Sequence, residues 1–191
     1  MNIKISQIAN LPSRFGDFKV KAFKEISQDG SKEHLVIYKE NLDEVPIVRV
    51  HSECLTGDAI GSLKCDCRDQ LEYALDLANK TGGMVIYLRQ EGRNIGLLNK
   101  INAYALQDQG LNTIEANHQL GFAADERTYE IVTYILHHFD IHKIKLLTNN
   151  PDKINSISDI EIVERIPIIM QTNKYNEGYI NTKKDDMGHL F

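Results

Sequence analysis

Cysteine is scarce in this chain. Its 191 residues carry three, an odd number, and two of them stand one residue apart. That usage argues against a disulfide framework and for a reducing cytoplasm in which the thiols serve a metal or a reaction. Positive charge is also in short supply: 22 Lys+Arg face 27 Asp+Glu, giving a net charge of −5 and a pI near 5.8. Bulk electrostatics therefore do not recommend nucleic acid or an anionic membrane as a partner. No apolar run approaches the ~20 residues of a membrane span. The opening MNIKISQIAN has neither an apolar core nor a small-residue cleavage site, so no secretory signal is expected. Repeats, low-complexity tracts and Pro/Gly/Ser-rich linkers are missing too, and a single domain over 1–191 is the expectation. What is there suits a globular protein with a core, at 42% hydrophobic and 26% charged residues.

The patterning changes character along the chain. Phe18, Val20 and Ala22 alternate with Lys19, Lys21 and Phe23, while 35–38 and 45–50 are short β-branched runs, so the early part reads as strands. From residue 69 helices and strands alternate. Leu71, Ala74, Leu75 and Ala78 keep helical spacing up to a Gly82-Gly83 stop, and 84–88 reads as a buried strand. A polar QEGRN loop precedes a helix expected to turn Leu97, Leu98, Ile101 and Ala105 to the core and to end at Gly110. A further helix is expected to start behind Asp125, with Tyr129, Val132, Ile135 and Leu136 inward. Residues 144–147 read as a strand, Asn150-Pro151 as a helix start, and 166–170 as the last regular element. The fold class is α/β, with helices layered around a mixed sheet that is antiparallel-rich at its start. The polar stretch 171–191 leaves room for flexibility.

Cys54, Cys65 and Cys67 give the spacing C-x10-C-x-C. Thiolates are soft ligands, and three around one zinc leave a fourth tetrahedral position open, as a catalytic ion requires. The same three residues would serve a closed structural zinc with His51 or an acidic neighbour as fourth ligand, or would simply be buried thiols.

Anion signals lie at element ends. With Asp125 read as an N-cap, Arg127 falls in a first helical turn, and Lys153 stands third in the helix capped by Asn150. Cations are disfavoured there by the helix dipole unless they face an anion. Glu91-Gly92-Arg93 sits between a strand and a helix, the usual setting of a phosphate cradle, although no Walker-type P-loop is present. Each cation taken singly could be a solvated surface charge. Tyr104 reads as a core residue, Thr113 and Thr148 as turn or cap residues, Glu53 as a rim carboxylate or second base, and His137 and His138 as surface.

Taken together, several segments resemble GTP cyclohydrolase II: RVHSECLTGD at 49–58, CDC at 65–67, RQEGRNIGLLNKINAYALQDQG at 89–110, IEANHQLGFAADER at 114–127, LLTNNPDK at 146–153 and the closing MGHL. The resemblance extends from LPSRFGDF at 11–18 to the end, in family order, and fits the single-function form without a dihydroxybutanone phosphate domain. It implies hydrolysis of GTP at guanine C8 and at the α-phosphate, releasing formate and pyrophosphate and leaving 2,5-diamino-6-(5-phosphoribosylamino)pyrimidin-4(3H)-one, the first step of riboflavin biosynthesis. It implies one Zn²⁺ per subunit on Cys54, Cys65 and Cys67, a water on that ion attacking C8, and Mg²⁺ with the GTP triphosphate. Nucleotide contacts would come from Arg49, Val50, His51, Ser52, Glu53, Gln70, Glu91, Gly92, Arg93, Thr113, Thr148 and Lys153. Asp125 would be the proton acceptor, Arg127 the nucleophile at the α-phosphate, and Tyr104 a participant in ring opening. A guanidinium is a poor nucleophile unless a base takes its proton, so Arg127 could equally stabilise the leaving pyrophosphate. A cytoplasmic homodimer is implied as well. Phe15, Lys64 and Gly178 depart from the family pattern without touching a motif. The rival readings are a GTP-binding protein with structural zinc and no turnover, and a partial cyclohydrolase that stops before one hydrolysis.

Overall fold

The computed structural model describes residues 2–28, 30–185 and 187–190. Eight strands form one mixed sheet: β1 (Asn2–Ile5), β2 (Ala9–Ser13), β3 (Gly16–Ser27), β4 (Gly30–Tyr38), β5 (Ile47–Ser52), β6 (Met84–Leu88), β7 (Lys143–Leu147) and β8 (Glu161–Ile166). The order is β1-β3-β4-β6-β5-β7-β8, with β2 also on β3. Pairing is antiparallel from β1 to β6 and parallel from β6 through β5 and β7 to β8. The mixed α/β architecture with its antiparallel start thus stands as the sequence suggests.

Helices cover both faces. Helix α2 (Cys67–Thr81) joins β5 to β6, and its Ala74 and Ala78 pack with Phe18, Ile37, Val85 and Leu147. It ends at Gly82, which takes the left-handed φ of 68° that a C-terminal cap requires. Helix α5 (Glu130–His138) leads into β7 on the other face, where Val132, Ile135 and Leu136 meet Val48, Val50, Met84 and Ile86. Each such fully buried aliphatic side chain stabilises the fold by about 1.5–3 kcal/mol relative to exposure. Because β6 and β7 lie on opposite sides of β5 and their helices on opposite faces, a crevice opens beyond the C-terminal ends of these strands. Parallel sheets place ligands at such a switch point.

Between β5 and α2 lies the short α1 (Leu55–Asp58). Between β6 and α5 come α3 (Gly96–Gln107) and α4 (Thr113–Gln119), the latter capped by Asn112 and Glu115 in a reciprocal capping box. Helix α6 (Pro151–Asn155) starts as expected, with Asn150 accepting from Asp152 N–H and proline in the first turn. A final α7 spans Glu177–Asp185.

Four expectations fail here. The last strand is β8, five residues earlier than 166–170, because Pro167 cannot donate to a ladder and the chain leaves the sheet there. Nor is this strand the last regular element, since α7 follows it at Glu177–Asp185. Helix α3 turns the other way, with Lys100 and Ala103 buried while Leu97, Leu98 and Ile101 are exposed. Its inward side meets a polar site rather than the core, so hydrophobicity misjudges the face. Finally, Asp125 caps nothing. Helix α5 begins only at Glu130, because Asp125 accepts instead from the Arg127 N–H, closing a tight turn outside any helix.

Candidate active site

Strand β5 sets up the site through its period of two. Val48 and Val50 face the α5 core, so Arg49 and His51 point to the opposite face, buried and polar. Two chambers open there. They share Ser52, Cys67, Arg93, Arg127 and Tyr179.

The second chamber contains the cysteines. The sulfurs of Cys54, Cys65 and Cys67 lie within 4.8 Å of one another, and those of Cys54 and Cys65 are 3.7 Å apart. Tetrahedral zinc with bonds of about 2.3 Å separates its sulfur ligands by about 3.8 Å, so the donor set fits that ion. Gly57 makes this approach possible, since a Cβ there would stand 2.8 Å from the Cys65 sulfur and 3.0 Å from that of Cys54. Hydrogen bonds from the other two thiols, with the Lys100 ammonium, drive the Cys54 thiol far down, and sharing with Cys54 pushes Cys65 up to about 11. Lys100 donates to the Cys54 sulfur at 3.1 Å and to Glu91 Oε1 at 2.7 Å. Glu91 Oε2 in turn accepts from the Leu55 N–H at 2.6 Å. Tyr104 is half-buried beside the cluster, its hydroxyl 3.4 Å from Thr56 Oγ1, and burial pushes its phenol up to about 12. On the far side the Asp58 carboxylate accepts from the Cys54 N–H, the Tyr87 hydroxyl and His51 Nε2–H. That bond fixes the tautomer and presents His51 Nδ1, buried and without a partner, as an acceptor.

The first chamber is basic. Arg49, Arg93, Arg127, Lys153 and Lys183 line it, and no carboxylate does among the described residues. Arg49 donates to the Leu147 carbonyl at 3.0 Å and to Gln70 Oε1 at 2.6 Å, which leaves its buried Nε unpaired. Arg93 donates to the Ala124 carbonyl and likewise keeps a buried Nη2 without a partner. Lys153 is 5% exposed and donates to the Val50 carbonyl at 2.7 Å. Burial, reinforced by Arg49 and Arg127, pushes the Lys153 ammonium well below its usual value and brings Arg49 down to about 10. Concentrated, desolvated positive charge with unfilled donors calls for a multiply charged anion. Arg93 and Asn94 carry positive φ values of 60° and 76° behind Gly92. Non-glycine residues rarely accept this conformation, and it turns the Arg93 guanidinium to the junction of the chambers.

Arg127 stands at that junction. Its Nε donates to Asp125 Oδ1 at 2.8 Å, Nη2 bonds the second carboxylate oxygen, and Nη1 lies 3.4 Å from Ser52 Oγ. Burial works against this charge, but the bonds it donates to Asp125 outweigh burial and hold the guanidinium above its ordinary value.

Most residues singled out in the sequence converge here. Arg49, His51, Gln70, Thr148 and Lys153 line the basic chamber, and Glu53, Glu91, Gly92, Tyr104 and Thr113 line the cysteine chamber. Two stand back from both: Val50 points into the core and offers only its carbonyl, and Asp125 acts through Arg127. Sequence patterns do not single out Lys100, Asp58, Asp66, Tyr179 and Lys183, which the structure also brings to the site. A lysine on an otherwise apolar helix was a signal for Lys100, but the remoteness of α7 hid Tyr179 and Lys183.

The family model for GTP cyclohydrolase II matches residues 4–167. GTP cyclohydrolase-2 of Campylobacter hominis is 66% identical over 190 residues, covering 100% of this chain and 96% of that protein. The Helicobacter hepaticus protein of the same name is 54% identical over 193 residues and the whole of both chains. That of Helicobacter pylori strain Shi470 is 53% identical over 188 residues, 98% of each. Among solved structures, the two-domain 3,4-dihydroxy-2-butanone 4-phosphate synthase RibBX from A. baumannii aligns at 18% identity and a TM-score of 0.46. That alignment takes in 88% of this chain, which spans 40% of the synthase chain.

Proposed function

The chain belongs to the GTP cyclohydrolase II family, and from that premise we propose that it opens the guanine ring of GTP, releasing formate from C8 and pyrophosphate from the α-phosphate. The diaminopyrimidine left behind enters riboflavin biosynthesis. The observation that carries this reading is the junction of a three-thiol cluster with a chamber that, among the described residues, no carboxylate lines and in which buried Arg49 Nε and Arg93 Nη2 find no acceptor. One chamber suits the purine and the other the triphosphate, with Mg²⁺ arriving on the phosphates as part of the substrate.

Cys54, Cys65 and Cys67 would hold one zinc, which when bound supplies Lewis-acid activation of water for attack on guanine. Lys100 offsets the negative charge of the thiolates through its bond to Cys54. Tyr104, kept protonated by burial, offers a proton donor beside the ring. Arg49, Arg93, Thr148 and Lys153 orient the triphosphate. Arg127, locked by Asp125, stabilises the charge that develops as pyrophosphate departs. Charge stabilisation suits a guanidinium held above its ordinary value better than nucleophilic attack does.

The testing experiment incubates the protein with GTP and Mg²⁺ and quantifies formate, pyrophosphate and diaminopyrimidine with and without a zinc chelator. All three products, lost on chelation, are expected; intact GTP would mean a binding protein instead. Tyr104→Phe should slow ring opening about 100-fold while GTP affinity stays within about twofold. Wild-type product formation would remove Tyr104 from the chemistry.

We also read residues 1–191 as one domain that works as a homodimer. The support is the outward face of α3, where Leu98 is 77% exposed beside Leu97 and Ile101, with Ile60 and Leu63 exposed on the turn that Lys64 ties to Asp108 at 2.6 Å. Apolar surface of this kind marks an interface. Leu98→Glu should halve the mass seen by light scattering, and an unchanged mass would move the interface elsewhere.

A further inference from the structure

Helix α7 is polar, yet its Tyr179 and Lys183 are partly buried and line the basic chamber, the Lys183 side chain being only 12% exposed, and Met187 and His189 beyond the helix line the same wall. Polar contacts fasten this arm. Lys183 Nζ lies 3.0 Å from Asp66 Oδ1, the His189 N–H donates to the Lys183 carbonyl, and the Leu190 N–H donates to the Asn149 carbonyl at 2.8 Å. The Asp66 carboxylate also accepts from Gln70 Nε2 at 2.6 Å, and Gln70 accepts from Arg49. A polar chain thus runs from the arm across the chamber floor to β5.

A pair as buried as Lys183 and Asp66 does little for stability on its own, because desolvation offsets the attraction. The position of Lys183 makes sense as binding chemistry. An ammonium has three donors; Asp66 takes one, the Tyr179 ring lies 4.2 Å beneath the charge, and the residue still forms part of the chamber wall. We propose that Lys183 is a phosphate-binding residue: the C-terminal helix carries it to the chamber, where it joins Arg49, Arg93, Arg127 and Lys153 in gripping a polyphosphate chain. Asp66 and Tyr179 are its positioning residues, holding the ammonium over the chamber before any anion arrives. The inference rests on the proposed function only for the identity of the polyphosphate as that of a nucleotide.

The test titrates wild type, Lys183→Met and Lys183→Arg with inorganic tripolyphosphate and with guanosine, by calorimetry, and measures KM for GTP. Lys183→Met should weaken tripolyphosphate about tenfold, the weight of one charge-assisted hydrogen bond, and raise KM for GTP similarly. Guanosine affinity should stay within about twofold, and Lys183→Arg should restore most of the loss. A helix anchor without phosphate contact predicts a different pattern: a lower melting temperature, with tripolyphosphate and guanosine affected alike or not at all. That pattern overturns the proposal. Turnover of GTP by the wild type with unchanged tripolyphosphate affinity in Lys183→Met rejects the role of Lys183 and leaves the cyclohydrolase reading intact. Selective loss of tripolyphosphate binding in a protein that does not turn over GTP supports Lys183 and rejects the cyclohydrolase reading.

Discussion

Replacing Cys65 with serine should abolish formate release, by about 1000-fold or more, equivalent to roughly 4 kcal/mol of transition-state stabilisation. A hydroxyl at this position is a poor ligand for a soft-leaning ion, and two remaining thiolates do not close the site that three sulfurs within 4.8 Å create. Metal content, read by mass spectrometry of the purified variant, should fall in parallel. The triphosphate contacts proposed above belong to the other chamber, so guanosine triphosphate should still bind. A structural zinc predicts the opposite ordering, with unfolding first and activity lost only because the fold is lost. Comparing melting temperature with formate release separates the two, and an unchanged formate rate in a folded variant would remove the ion from the chemistry. Gly57→Ala should act in the same direction without altering a ligand, because its new methyl would press on the Cys65 and Cys54 sulfurs.

Arg127→Ala should cut pyrophosphate release by about 10³- to 10⁵-fold, the usual weight of an arginine that meets phosphoryl charge in the transition state. Removing it also leaves Asp125, 18% exposed at its side chain, without that partner at the junction of the two chambers. Arg127→Lys distinguishes the two roles open to the residue. Charge stabilisation predicts that lysine keeps a measurable part of the rate, although its single ammonium cannot reproduce the fork that grips Asp125 and reaches Ser52 Oγ. Nucleophilic attack predicts a covalent adduct of the wild-type protein, visible by mass spectrometry of the quenched reaction. Detecting that adduct would overturn the reading of Arg127 as a charge stabiliser.

Much of the site was legible because local pattern and chemistry coincide. The C-x-C pair at the start of α2 and the cysteine before α1 point to a three-thiol cluster, and Asn150-Pro151 to the helix that sets Lys153 in the chamber. The strand from 84 to 88 and the inward face of α5 followed from periodicity, since both elements bury ordinary apolar faces. Where hydrophobicity and function part company, local pattern misleads. Helix α3 hides Lys100 and Tyr104 against the site and leaves Leu98 outside, so the rule that apolar faces turn inward picked the wrong side. Asp125 looked like a cap because capping and an i to i+2 turn use the same residue types.

The sequence by itself determined the family, the alternation of helices with strands after residue 69 and the identities of the thiols and of most of the chamber-lining cations. Those are properties of residue type and short spacing, which need no partner far along the chain. Only the tertiary structure decided which cations gather in one chamber, that Asp58 holds His51 Nε2, and that Lys183, more than a hundred positions from Asp66, closes the wall of the basic chamber. Such pairings depend on distances through space between segments whose local patterns carry no trace of one another, and the crossover of β6 and β7 about β5 is what brings them together.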